Sequence, residues 1–183
     1  HVAAITLYTL NSPFYTRLNA AGRAADRTLV KPFFAYVRLL LEALRWVPHA
    51  TDEVLWRGAS ITGADAAAVH KRLCDVVYSK GALGTWYGLT SCTHDVAVLQ
   101  NPTFCGQAGY RLQFLVRAHR AYQIEAASVY PEGEFLLLPG FEFRVKSTAR
   151  LGNDLFQVDL RDETEHDLFE ITHQRLSDIA RVF

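Results

Sequence analysis

The chain has 183 residues, 50% of them hydrophobic and 21% charged, the proportions of a soluble globular protein. A single domain of this length buries roughly 70% of the surface its unfolded chain exposes. Lys and Arg together number 19, as do Asp and Glu, so the formal net charge is zero, which argues against a broad basic field for nucleic acid or an anionic membrane.

In chain order, the first third reads helical. Asn11-Ser12-Pro13 is a cap followed by Pro at the start of a helix running to about Ala25. Pro32 opens another, with Phe33, Val37, Leu40, Leu41, Leu44 and Val47 at helical spacing. The stretch Phe33 to Leu44 is the longest apolar one, and Arg38 and Glu42 interrupt it; no run reaches the ~18 residues of a membrane span. Thr51-Asp52 breaks into a Val54–Trp56 strand, and Thr62-Gly63-Ala64-Asp65 leads into a helix through Lys71 or Leu73. From Trp86 onward the pattern is mostly strands: Tyr110–Val116, a short Gln123–Ala127, Phe135–Leu138, Phe141–Ser147 and Leu155–Leu160. Pro139-Gly140 marks a turn between two of them. A final amphipathic helix spans about 165–181.

Helices first and strands afterwards is an α+β order rather than β-α alternation. The chain is one domain over 1–183, with a helical part (1–50), a sheet-rich core (51–160) and the C-terminal helix. Cys74, Cys92 and Cys105 show no Cys-x-x-Cys or His-paired metal spacing, and the seven histidines form no i, i+4 pair, so no metal is expected. One Cys92–Cys105 bridge or three free thiols both fit an odd count. With no methionine, the chain reads as a secreted product or an excised domain of a larger protein.

Three short motifs carry chemistry. Val54-Leu55-Trp56-Arg57-Gly58 is a strand ending in a cation, followed by a residue whose backbone can be approached closely, which suits bidentate binding of a pyrophosphate. Trp86-Tyr87-Gly88-Leu89-Thr90-Ser91-Cys92-Thr93 runs from aromatics into small side chains able to brace a carboxylate or a ribose. Tyr130-Pro131-Glu132-Gly133-Glu134-Phe135-Leu136-Leu137-Leu138-Pro139 places two carboxylates two residues apart at the mouth of an apolar run. In a strand such a pair shares one face, roughly 6.5 Å apart, close enough to divide a task. Each motif alone also reads as an ordinary strand end. No Gly-x-Gly-x-x-Gly or Gly-Lys-Ser/Thr loop is present, so a dinucleotide would be held in another way.

In the order Arg, Ser, Glu-x-Glu, these motifs resemble the arginine-specific mono-ADP-ribosyltransferases. Tyr8-Thr9 and Tyr15-Thr16-Arg17-Leu18-Asn19 look like that family's helical opening, and Phe141-Glu142-Phe143-Arg144-Val145 like the strand after its Glu-x-Glu. Cys92 and Thr93 stand where Thr and Ser are commoner, and Gly133 loosens the link between the acids. The resemblance implies two small, mostly antiparallel sheets that grip NAD in a cleft. It implies NAD as substrate with no permanently bound cofactor, and a protein acceptor with an exposed arginine. Glu134 would hydrogen-bond the ribose and oppose the positive charge, and Ser91 would hold Glu134. Arg57 would bind the phosphates or the nearby ribose, the Gly58 backbone the nicotinamide amide, and Glu132 the acceptor guanidinium. Phe104, in the following loop, would pack against nicotinamide or simply cover the core. An NAD glycohydrolase and an inactive NAD-binding module are the alternative activities.

Overall fold

A computed structural model describes residues 1–130, 133–165 and 168–169. The helical opening consists of α1 (Val2–Thr9), α2 (Pro13–Arg23) and α3 (Phe34–Leu44). Ser12 caps α2 by accepting from the Tyr15 N–H at 3.2 Å, with Pro13 in the first turn. Where the sequence places a helix start at Pro32, a 3-10 turn over Arg27–Phe33, capped by Asp26, takes up the proline. The α-helix therefore begins at Phe34.

Strand β1 covers His49–Ser60, much longer than Val54–Trp56. Asp52 adopts φ 57 and interrupts the ladder without changing its register, since Thr51 still faces Arg120 and Glu53 faces Ala118. An Asp52–His119 contact at 3.1 Å joins the two strands there. Helix α4 (Ala66–Arg72) passes into one wide π turn over Leu73–Val77. The remaining strands are β2 (Leu83–Trp86), β3 (Thr90–Thr93), β4 (Arg111–Gln123), β5 (Glu134–Leu137), β6 (Phe141–Arg150) and β7 (Leu155–Asp162). β4 runs through the polar stretch Arg117–Arg120 because Ala118 and Ala121 supply its buried positions. The expected Gln123–Ala127 strand is instead a 3-10 turn over Glu125–Ala127. Of the expected C-terminal helix only Glu165, Leu168 and Phe169 are described; the rest lies outside the described residues.

The α+β order holds, and the pairings are antiparallel except for β4 with β7. Strands β2-β6-β7-β4-β1 form one run, and β3-β5 form a second pair. The two are stitched together where β3 meets β1 at Trp56↔Thr93 and β5 meets β4 at Tyr122↔Leu136. β5 also divides two cores. Phe135 and Leu137 join the core under the long run, with Leu55, Phe114, Val116, Phe143, Val158 and Leu160. Leu136 and Leu138 face the helices, with Ile5, Tyr8, Leu18, Leu40 and Leu44. This explains an unbroken apolar run, since a strand buried on both faces has no polar side. Glu134 shares the helix-facing parity of Leu136 and Leu138.

Candidate active site

Arg57 leaves β1 next to Trp56, the residue at which β1 pairs with both β3 and β4. Its Nη1 donates to the Ser91 carbonyl at 2.8 Å, and its guanidinium carbon lies 5.9 Å from the Trp86 ring centre. β3 and β5 align Ser91 with Leu136 and Thr93 with Glu134. Gly58 faces the loop after β3 so closely that an added Cβ would stand 2.6 Å from the Cys105 Cβ. That loop is wound by Asn101, whose side chain accepts from the Thr103 N–H at 2.9 Å and whose carbonyl accepts from the Phe104 N–H at 3.0 Å.

These pieces enclose a recess of about 130 Å³ whose wall includes Arg57, Gly58, Ser91, Phe104 and Glu134. Five of the six residues singled out in the sequence thus converge from four separate segments. The sixth, Glu132, lies outside the described residues. Two further recesses adjoin. One of about 350 Å³ shares Arg57 and is lined by Arg23, Tyr78, Trp86, Tyr87 and Phe114. The other, about 230 Å³, shares Ser91, Phe104 and Glu134 and is lined by Asn11, Asn101 and Tyr130. Arg57 therefore stands between a two-arginine chamber and the carboxylate.

The expected Ser91–Glu134 hydrogen bond is not made. Ser91 lies opposite Leu136, two positions along the strand from the carboxylate, and its buried Oγ makes no hydrogen bond to Glu134. The Glu134 carboxylate accepts from Ser128 at 3.2 Å. Beneath Ser91, burial drives the Tyr8 phenol well above its ordinary range, partly offset by the neighbouring Ser91 and Asn19 side chains and the Arg57 charge. All three cysteines are free and buried. The Cys92 thiol, in the recess wall, is pushed up to about 12 by burial. His70 and Cys74, four residues apart, meet at 3.5 Å, a His–Cys pairing where the cysteine spacing predicts none. No group of three metal-ligating side chains occurs among the described residues.

The motif reading also missed Tyr15 and Arg23, which line the cleft from α2. Tyr15, Asn19 and Arg23 recur every fourth residue, which puts them on one helix face, and that polar stripe was the available signal. α2 runs close to the segment before β3, since a Cβ on Gly22 would lie 3.4 Å from the Gly88 backbone.

A profile of the NAD:arginine ADP-ribosyltransferases matches residues 1–167. The chain belongs to this family. It is therefore an ADP-ribosyltransferase with NAD as its substrate. Solved structures show the same fold. The ADP-ribosyltransferase Vis from Vibrio splendidus, in complex with agmatine, superposes with a TM-score of 0.69 at 17% identity, over 90% of this chain and 74% of that one. The Clostridium limosum C3 exoenzyme gives 0.65 at 17% identity, over 89% and 84%. The transferase domain of Salmonella SpvB gives 0.64 at 13% identity, over 89% and 98%. No curated protein matches the chain in sequence. Among the described residues no helix is long and apolar enough to cross a membrane.

Proposed function

We propose that this ADP-ribosyltransferase moves ADP-ribose from NAD to an arginine side chain of a protein acceptor, releasing nicotinamide. The observation that carries the reading is the convergence of Arg57, Gly58, Ser91, Phe104 and Glu134 on one recess. The pyrophosphate lies against Arg57 and Arg23, the two cations of the larger chamber, because a guanidinium fork matches phosphate oxygens two at a time. Nicotinamide enters the small recess, stacked on Phe104 and against the Gly58 backbone. The acceptor approaches through the recess bordered by Tyr130 and Asn101.

The bond between C1′ of the ribose and the nicotinamide nitrogen breaks, and its electron pair leaves with nicotinamide, which becomes neutral. The cation left on the ribose is opposed by the Glu134 carboxylate, whose fixed position lowers the barrier electrostatically. A guanidinium nitrogen of the acceptor then bonds to C1′ and gives up a proton. Glu132 orients this guanidinium and takes the proton, since a guanidinium has donors and no free acceptor of its own. Glu-x-Glu is the residue pattern that supports arginine as the acceptor. Binding and alignment supply the remainder of the rate.

Isotope-labelled NAD with agmatine tests the reading in one assay. Labelled ADP-ribosyl-agmatine is the expected product. Free ADP-ribose alone would make the protein a glycohydrolase, and no turnover would make it an NAD-binding module.

A further inference from the structure

The loop between β4 and β5 is tied down on both sides of one serine. Ser128 Oγ donates to Glu134 Oε2 at 3.2 Å and accepts from the Tyr130 N–H, also at 3.2 Å. With an acceptor site of the oxygen taken by Tyr130, the hydroxyl proton is directed to the carboxylate. Thr6 of α1 donates to the Ala127 carbonyl at 2.9 Å, and the Val129 N–H donates to Thr9 of α1 at 3.0 Å. The Ile124 N–H donates to the Glu134 carbonyl at 3.0 Å. Helix α1 thus fixes the residues immediately before and after Ser128, and the same loop holds the backbone of Glu134. Ser91, the brace that the motif implied, makes no hydrogen bond to the carboxylate.

We infer that Ser128 is a positioning residue for Glu134, held in place from the first helix through Thr6 and Thr9. The inference rests on the transferase reading above. A hydrogen bond donated to a carboxylate favours its charged form and restricts its direction, and both matter when the carboxylate must meet a cation as it develops.

The test compares NAD turnover, with agmatine as acceptor, in the wild-type chain, Ser128→Ala, Ser128→Thr, Glu134→Gln and the Ser128→Ala/Glu134→Gln double variant. Ser128→Ala is expected to lower kcat by about 10- to 100-fold, the range for a hydrogen bond to a charged group. The KM for NAD should change little, and the acid limb of the rate profile should move to higher pH. Ser128→Thr, which keeps the donor, should restore most of the rate, and the double variant should be no slower than Glu134→Gln alone. A wild-type kcat and pH profile in Ser128→Ala overturns the inference. So does a loss that Thr does not rescue, or one that adds fully to Glu134→Gln. Wild-type turnover in Glu134→Gln would instead overturn the active site itself, so the two failures are distinguishable.

Discussion

Gly58→Ala tests how the recess is built. The new Cβ would lie 2.6 Å from the Cys105 Cβ, 3.3 Å from the Cys105 nitrogen and 3.3 Å from Leu99 Cδ2. Carbon atoms settle at about 3.5–4.0 Å, so the closest contact falls short by about 1 Å. β1 cannot easily retreat, because Gly58 is paired with Gln113 within the β1–β4 ladder, which continues through Ala59 and Ser60. Cys105 is buried, and its carbonyl accepts from Ser60 Oγ at 2.8 Å. The loop carrying Phe104 must therefore lift, at an overpacking cost of about 1–3 kcal/mol. For a domain of this size that lowers Tm by roughly 2–12 °C. Calorimetric unfolding should show this drop together with weaker NAD binding, because Phe104 moves with Cys105. Cys105→Gly removes the clashing carbon, so the penalty of Gly58→Ala should shrink in that background by about 1 kcal/mol or more. A wild-type Tm and NAD affinity in Gly58→Ala, or strict additivity in the double variant, would refute the close-approach account.

Arg57→Ala should weaken NAD binding by about 1.5–3 kcal/mol, or roughly 10- to 150-fold; an unchanged Kd in a folded variant would remove Arg57 from the phosphate site. Glu134→Gln should lower both transfer and hydrolysis by about 100-fold or more, whereas Glu132→Gln should abolish transfer to agmatine and spare hydrolysis. Parallel loss of both activities in Glu132→Gln at every pH would end its acceptor role and the arginine assignment with it. Alkaline stability offers a further check. The Cys92 thiol titrates from 9.0 in the unfolded chain to about 12 in the folded one, so above pH 9 the native state holds more protons and stability falls as pH rises. One such group costs about 1.4 kcal/mol per pH unit across that window. Denaturant titrations from pH 8 to 10 should therefore give a shallower loss for Cys92→Ala, and equal slopes would contradict it.

The sequence by itself determined the order of structure, helices before strands, because helical spacing in Phe33–Val47 and strand runs after Trp86 are local signals. It also singled out Arg57, Gly58, Ser91, Phe104 and Glu134, which fold into one recess, because their order along the chain resembles one family's motifs. Tertiary structure decided what lies beyond a window of a few residues. β1 continues through Thr51-Asp52-Glu53 because β4 supplies its partners, and β4 survives its charged stretch because two alanines reach the core. Gly58 looked free for a ligand to approach, yet its missing Cβ makes room for Cys105. Arg23 lines the cleft from α2, a helix that packs its Gly22 close to Gly88. The hydroxyl that meets Glu134 was decided by register. Pairing sets Ser91 against Leu136, while the folding back of the loop onto α1 brings Ser128, six residues from Glu134 in sequence, into hydrogen-bonding contact with its carboxylate.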